Sequence, residues 1–169
     1  MERIIDVADF IYKKYKEVSG GENLDEMKLH KLLYFAQREC LALTGEMLFE
    51  EHFEGWIYGP VSPEIRKSYY PKDGILESTN EVSAETAYIL NNIIEEYGKL
   101  TSWKLSKLSH DEISWNNARK GLEDWERGSK PLTIEDIKED SKKVRLFDHT
   151  WGMYYDEFED IPFDKAVSE

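Results

Sequence analysis

Leu29, Leu32, Leu33, Ala36, Cys40 and Leu43 recur at three- and four-residue intervals and stop at Gly45. Such spacing lines apolar side chains along an α-helix and leaves no room for the strict alternation of a strand. A helix this long and apolar must be covered by other elements, so the run predicts the central core helix of a bundle. The flanking sequence supplies its neighbours. Ile4, Ala8, Ile11, Tyr15 and Val18 form a second helical stripe that Ser19-Gly20-Gly21 ends, and Asn23 with Glu26 reads as the capping pair of the central helix.

After Met47 the helical pattern weakens. Phe53, Gly55 and Ile57 alternate with His52, Glu54 and Trp56, which permits a short strand or extended segment near 51–57, closed by Gly59-Pro60. Ser62-Pro63 predicts a short helix to about Tyr70, before Pro71 and the Asp73-Gly74 turn. From Ser83 a long helix places Ala87, Leu90, Ile94 and Tyr97 inward and Asn91, Asn92, Glu95 and Glu96 outward. Thr101 starts a short helix with Trp103, Leu105 and Leu108. Ser109 and Glu112 read as a capping box leading to Trp115 and Ala118, and Thr133 caps a last helix with Ile134 and Ile137 inside. The expected fold is mainly α, a compact single-domain helical bundle with at most a short strand near 51–57.

Composition agrees with a packed, soluble domain: 40% hydrophobic, 34% charged and 13% aromatic residues are too apolar for disorder. Cys40, the one cysteine, has no partner for a disulfide or a thiolate metal site, which suits a reducing cytoplasm. The first twenty residues mix charged and apolar types, unlike a signal peptide, and no window approaches the ~20 apolar residues of a membrane helix. Cytoplasmic residence, without membrane contact, is therefore the expectation. The 35 acidic against 22 basic residues, net −13, repel phosphate backbones, so nucleic acid is a disfavoured partner and a basic protein surface a favoured one. The domain is expected to span residues 1–147. Beyond it, residues 148–169 carry seven carboxylates against Lys165, together with Trp151, Tyr154, Tyr155, Phe158 and Phe163. Aromatic anchors among acids such as Asp156 and Glu157 suit docking on a basic, concave partner surface. The same segment could instead fold back on its own domain, and the composition does not choose.

Two stretches resemble a known family. Lys31-Leu32-Leu33-Tyr34-Phe35-Ala36-Gln37, then Leu41-Ala42-Leu43-Thr44-Gly45, Leu48-Phe49 and Phe53-Glu54-Gly55-Trp56-Ile57-Tyr58-Gly59-Pro60-Val61, resemble the N-terminal signature of the Panacea (SocA-like) antitoxin domain. Leu105 to Glu112 with Trp115, Ala118 and Arg119 is similar to its second signature, and Thr133 to Ile137 to its closing helix. The motif positions are Leu33, Tyr34, Trp56, Tyr58, Gly59, Pro60, His110, Glu112 and Trp115. Two departures stand out: Ser114 occupies a position where the family usually has proline, and Arg38-Glu39-Cys40 replaces small and aromatic residues. The resemblance implies a mainly helical antitoxin that neutralises a cognate toxin by direct binding. Delivery of the toxin to a protease is the alternative within the family, and self-association stays open.

The chemistry-bearing residues fit structure better than catalysis. His110, Asp111 and Glu112 are adjacent, so their side chains fan apart rather than converge on one ion. Cys40 and His30 lie about 15 Å apart along one helix and cannot form a nucleophile pair. A small hydrolase or nucleotide-handling enzyme using His110 is the competing class, but no Gly-rich phosphate loop or nucleophile elbow accompanies it. No cofactor or metal is expected. Trp56, Tyr58 and Pro60 read as a rigid turn covering the core, with direct partner contact as the alternative or in addition, and Trp115 and Trp125 read as packed.

Overall fold

The computed structural model describes residues 1–145, so every expectation placed on Trp151, Tyr154, Tyr155, Asp156, Glu157 and Phe158 lies outside the described residues. Seven helices and two short hairpins make up the described chain: α1 (Ile4–Val18), α2 (Glu26–Thr44), β1 (Glu54–Trp56), β2 (Gly59–Val61), α3 (Pro63–Ser68), β3 (Tyr69–Tyr70), β4 (Gly74–Ile75), α4 (Ala84–Tyr97), α5 (Ser102–Ser109), α6 (Ile113–Ala118) and α7 (Ile134–Ser141). The fold is mainly α, as the periodicity predicts. Helices α1, α4, α5 and α7 and strand β2 all pack on α2.

That arrangement follows from α2 itself. Every residue from Lys28 to Leu41 is buried, so α2 has no solvent face in its middle. A helix covered on all sides must give its polar side chains partners within the protein. Gln37 does so by donating to Phe49 O at 2.9 Å and accepting from Leu48 N at 2.7 Å, which fastens the loop after α2 to the core. Phe35 stacks on Tyr97 of α4 at 4.6 Å, and Tyr34 meets Phe53 edge-on at 5.7 Å.

Local signals set most helix starts. Ser62, Ser83, Thr101 and Thr133 each accept a hydrogen bond from the backbone N–H three residues on. Each such cap contributes about 1 kcal/mol. Gly45 ends α2 in the left-handed conformation at φ 75°.

Several local expectations are corrected. Asp25, not Asn23, caps α2 by accepting from Lys28 N at 2.9 Å, while Asn23 faces the Tyr12 hydroxyl. Ser109 and Glu112 form no capping box. Ser109 belongs to α5 and donates to Ser106 O, whereas Glu112 stands before α6 with its side chain turned into the core. Strand structure continues through Gly59-Pro60 as β2, and α3 stops at Ser68 because Tyr69–Tyr70 pair with Gly74–Ile75. Asn92 faces inward rather than outward. Val18 and Leu43 project into solvent, and Trp125 is 76% exposed rather than packed.

Glu39 leads to a first prediction. It is buried against α4 beside the Glu96 carboxyl, and burial followed by that neighbour pushes its pKa up to about 8. The folded state therefore holds a proton that the unfolded chain has already lost. Stability falls as pH rises from about 4.5 toward about 8 and stays reduced above that range. Glu39→Gln cannot ionise. It is expected to raise the thermal midpoint most above pH 8 and hardly at all near pH 5, as followed by circular dichroism across that range.

Candidate partner interface

The hairpin β1–β2 carries the signature turn. Trp56 pairs with Gly59 across it, leaving Ile57 and Tyr58 as the two-residue loop. Gly59 has φ 115°, a conformation side chains resist, and a Cβ there would meet Ser109 Oγ and Lys31 Cε well inside van der Waals contact. Gly59→Ala should therefore cost about 3 kcal/mol from strain and overpacking together, read as a shift of the urea midpoint.

Polar groups from several elements hold this hairpin. Lys31 Nζ on α2 donates to Pro60 O at 3.2 Å, Ser106 Oγ on α5 to Tyr58 O at 2.7 Å, and Trp115 Nε1 on α6 to Trp56 O at 2.8 Å. Arg119 Nη1 donates to Gly55 O at 3.0 Å, and Gly55 N to Lys130 O at 3.0 Å. Backbone carbonyls in a short hairpin are normally left to water. Here those of Gly55, Trp56, Tyr58 and Pro60 each find a side-chain donor, so the turn is presented to solvent as a rigid shape.

Its outer side is aromatic and cationic. Tyr58 is half exposed and meets the exposed Trp103 of α5 edge-on at 5.2 Å. The expectation that Tyr58 covers the core is thus corrected: its backbone is anchored while its ring faces out. Trp56 donates to Glu54 Oε2 at 2.7 Å, and the guanidiniums of Arg66 and Arg127 lie 5.1 Å and 4.6 Å from its ring. Beside it a groove of about 490 Å³ opens between the α2 N-terminus and the hairpin, floored by Met27, Ile57 and Val61. Lys31 and His30 line its inner wall. Burial lowers Lys31 to about 7, and it likewise holds His30, whose Nδ1 accepts from Ser62 N, below the ordinary histidine range.

The motif residues Tyr34 and Glu112 form a buried polar centre with Arg38, Ser114 and Asp140. Tyr34 OH lies 3.1 Å from Glu112 Oε2, 2.8 Å from Ser114 Oγ and 3.0 Å from Asp140 Oδ2. Arg38 donates to Glu112 Oε1 at 2.6 Å and to Tyr97 OH at 2.9 Å. Asp140 of α7 accepts from Ile113 N at 2.7 Å and Ser114 N at 2.9 Å, so it caps α6 from another helix. Glu112 occupies the position next to α6 and is committed to Arg38 instead. Proline at position 114 could not supply the N–H that Ser114 gives to Asp140. The unusual Arg38 and Ser114 thus belong to one network. Burial raises the Glu112 pKa despite Arg38, while hydrogen bonds from Ser114 and Ile113 hold Asp140 low against its own burial.

His110, Asp111 and Glu112 do not converge. His110 stacks on Trp115 at 4.0 Å, Asp111 is exposed, and Glu112 points to Arg38. Leu33 is fully buried core. Sequence reasoning missed Lys31, Arg38, Arg66, Arg127 and Asp140. For Lys31 and Arg38 the signal was present in their spacing: cations inside a helix too apolar to have an exposed face.

No helix among the described residues is long and apolar enough to cross a membrane. No curated protein and no solved structure matches the chain. The family model described as antitoxin SocA-like, Panacea domain, matches residues 29–116, a span holding α2 from Leu29 onward, the signature hairpin, and Tyr34, Arg38, Tyr97, Glu112 and Ser114 of the polar network. The chain belongs to the SocA-like antitoxin family of the Panacea domain.

Proposed function

We propose that this protein neutralises a cognate toxin by binding it directly and covering a surface the toxin needs. The observation that carries the reading is that the antitoxin family match coincides with a rigid turn whose exposed rings, Tyr58 and Trp103, have no structural duty in the core. Exposed aromatics on a preorganised scaffold bind with little loss of conformational freedom, which is why such residues dominate protein interfaces. The acidic, aromatic residues 148–169 supply a second contact, in which carboxylates steer association with a basic toxin surface and Trp151, Tyr154, Tyr155 and Phe158 fill pockets on it.

The mechanism is steric and electrostatic and asks for no catalytic group. It predicts that Tyr58→Ala combined with Trp103→Ala weakens the toxin complex by at least about tenfold, since two aromatic anchors of roughly 1–2 kcal/mol each are removed. Thermal stability should hardly change, because both side chains are exposed. Stopping the chain after Phe147 should abolish growth protection while leaving the circular dichroism of a folded helical domain. Full protection by that shortened chain would remove the acidic segment from the mechanism.

A further inference from the structure

On a protein of net charge −13, two guanidiniums gather on a single exposed-side ring, with the Glu26 and Glu54 carboxylates beside them. Arg66 and Arg127 converge on the one Trp56 ring, and Glu26 is committed to Arg66 and Glu54 to the Trp56 indole N–H, which leaves Arg127 as the cation still open to an anion. Arg66 shares Glu26 with His30, at 3.1 Å from the carboxylate. Among the described residues no carboxylate is paired with Arg127. Below them Lys31, 1% exposed and with its pKa lowered to about 7 by burial, makes one hydrogen bond, to Pro60 O. The adjoining groove floor, Met27, Ile57 and Val61, is apolar. A fitting occupant is an extended segment with carboxylates for the cations and rings for the floor.

We propose that residues 148–169 of the same chain dock on this groove, with Trp151, Tyr154 or Tyr155 against the Met27–Ile57–Val61 floor and Asp156 and Glu157 at Arg127 and Arg66. The segment has that composition, six net negative charges and five aromatic rings. It can reach. The described chain ends where Val144 and Arg145 line a cleft with Phe35, and Phe35 is one turn of α2 from Lys31 on the groove wall. The eleven residues from 146 to 156 span up to about 35 Å when extended. Tethering gives the segment an effective concentration in the millimolar range, so modest contacts hold it. Because the groove offers the cations and apolar floor ascribed above to the toxin, a toxin would compete with it for the segment. That consequence rests on the toxin-binding reading; the docking does not.

The test uses the full chain alone, so its failure leaves the antitoxin reading standing. A nitroxide is attached at Gly152→Cys in a Cys40→Ser background, and the indole N–H signal of Trp56 is followed by nuclear magnetic resonance. Docking predicts that this signal is broadened away, that Arg127→Glu restores it, and that adding Asp156→Arg and Glu157→Arg to Arg127→Glu broadens it again. The remaining spectrum reports that each variant is folded. A Trp56 signal that keeps its intensity would overturn the proposal. So would broadening found only when spin-labelled and isotope-labelled chains are mixed, since the occupant would then be a second copy.

Discussion

Asp140→Ala is expected to destabilise the domain by about 3 kcal/mol, because it strands the buried Ser114 amide and the partly buried Ile113 amide and removes a charged acceptor. The side chain is fully buried and accepts from Ile113 N, Ser114 N and Tyr34 OH. No side chain of α6 can replace it: the position before that helix is held by Glu112, whose carboxylate makes no capping bond. Denaturant unfolding reads the loss directly. Hydrogen exchange should also show the amides of Ile113 and Ser114 opening before the rest of the core, which a generally weakened core would not produce. Asp140→Asn keeps one acceptor and should cost less. A loss under about 1 kcal/mol for the alanine variant would mean that water caps α6 adequately.

Arg38→Met should cost about 3–5 kcal/mol for a different reason: it leaves the Glu112 carboxylate buried without its cation. Lys143, half exposed and 3.7 Å from Glu112, compensates only in part. The pH dependence identifies the cause. Burial already raises the Glu112 pKa above 4.5, and without Arg38 it should rise further. The folded variant then holds a proton the unfolded chain releases, so the stability deficit should be small near pH 4 and should grow as pH increases. Adding Glu112→Gln to Arg38→Met should recover much of the loss at pH 7. No recovery would mean that packing of the Arg38 side chain on Phe35, 4.7 Å away, outweighs the ion pair.

These two residues also mark the boundary of what the sequence makes legible. Helix positions and most caps were readable because Ser62, Ser83, Thr101 and Thr133 act on their own backbone a few residues away, and Gly45 ends α2 for a conformational reason visible in the residue type. The Ser109–Glu112 spacing met the same local rule and failed it. Glu112 has a stronger partner, Arg38, 74 positions away, and the cap came from Asp140 on another helix. Local patterns cannot report contacts between distant segments. Trp125 is a related case: its size suggested burial, yet it lies in the stretch between α6 and α7 with no helical face to carry it inward. The signature turn was legible as rigid but not as two-sided. Its carbonyls face inward to Lys31, Ser106 and Trp115 while Tyr58 faces out, a division set by the hairpin register.

Direct neutralisation of a toxin is tested most simply by co-expressing the full chain with the product of the adjacent gene and scoring growth, followed by purification through a tag on either protein. The neighbour alone is expected to arrest growth, the full chain to restore it, and the two to purify together as a stable complex. Restored growth with no complex, and with toxin loss that depends on a cellular protease, would contradict direct neutralisation and favour delivery for degradation. A harmless neighbour that the chain neither protects against nor binds would contradict the antitoxin function itself.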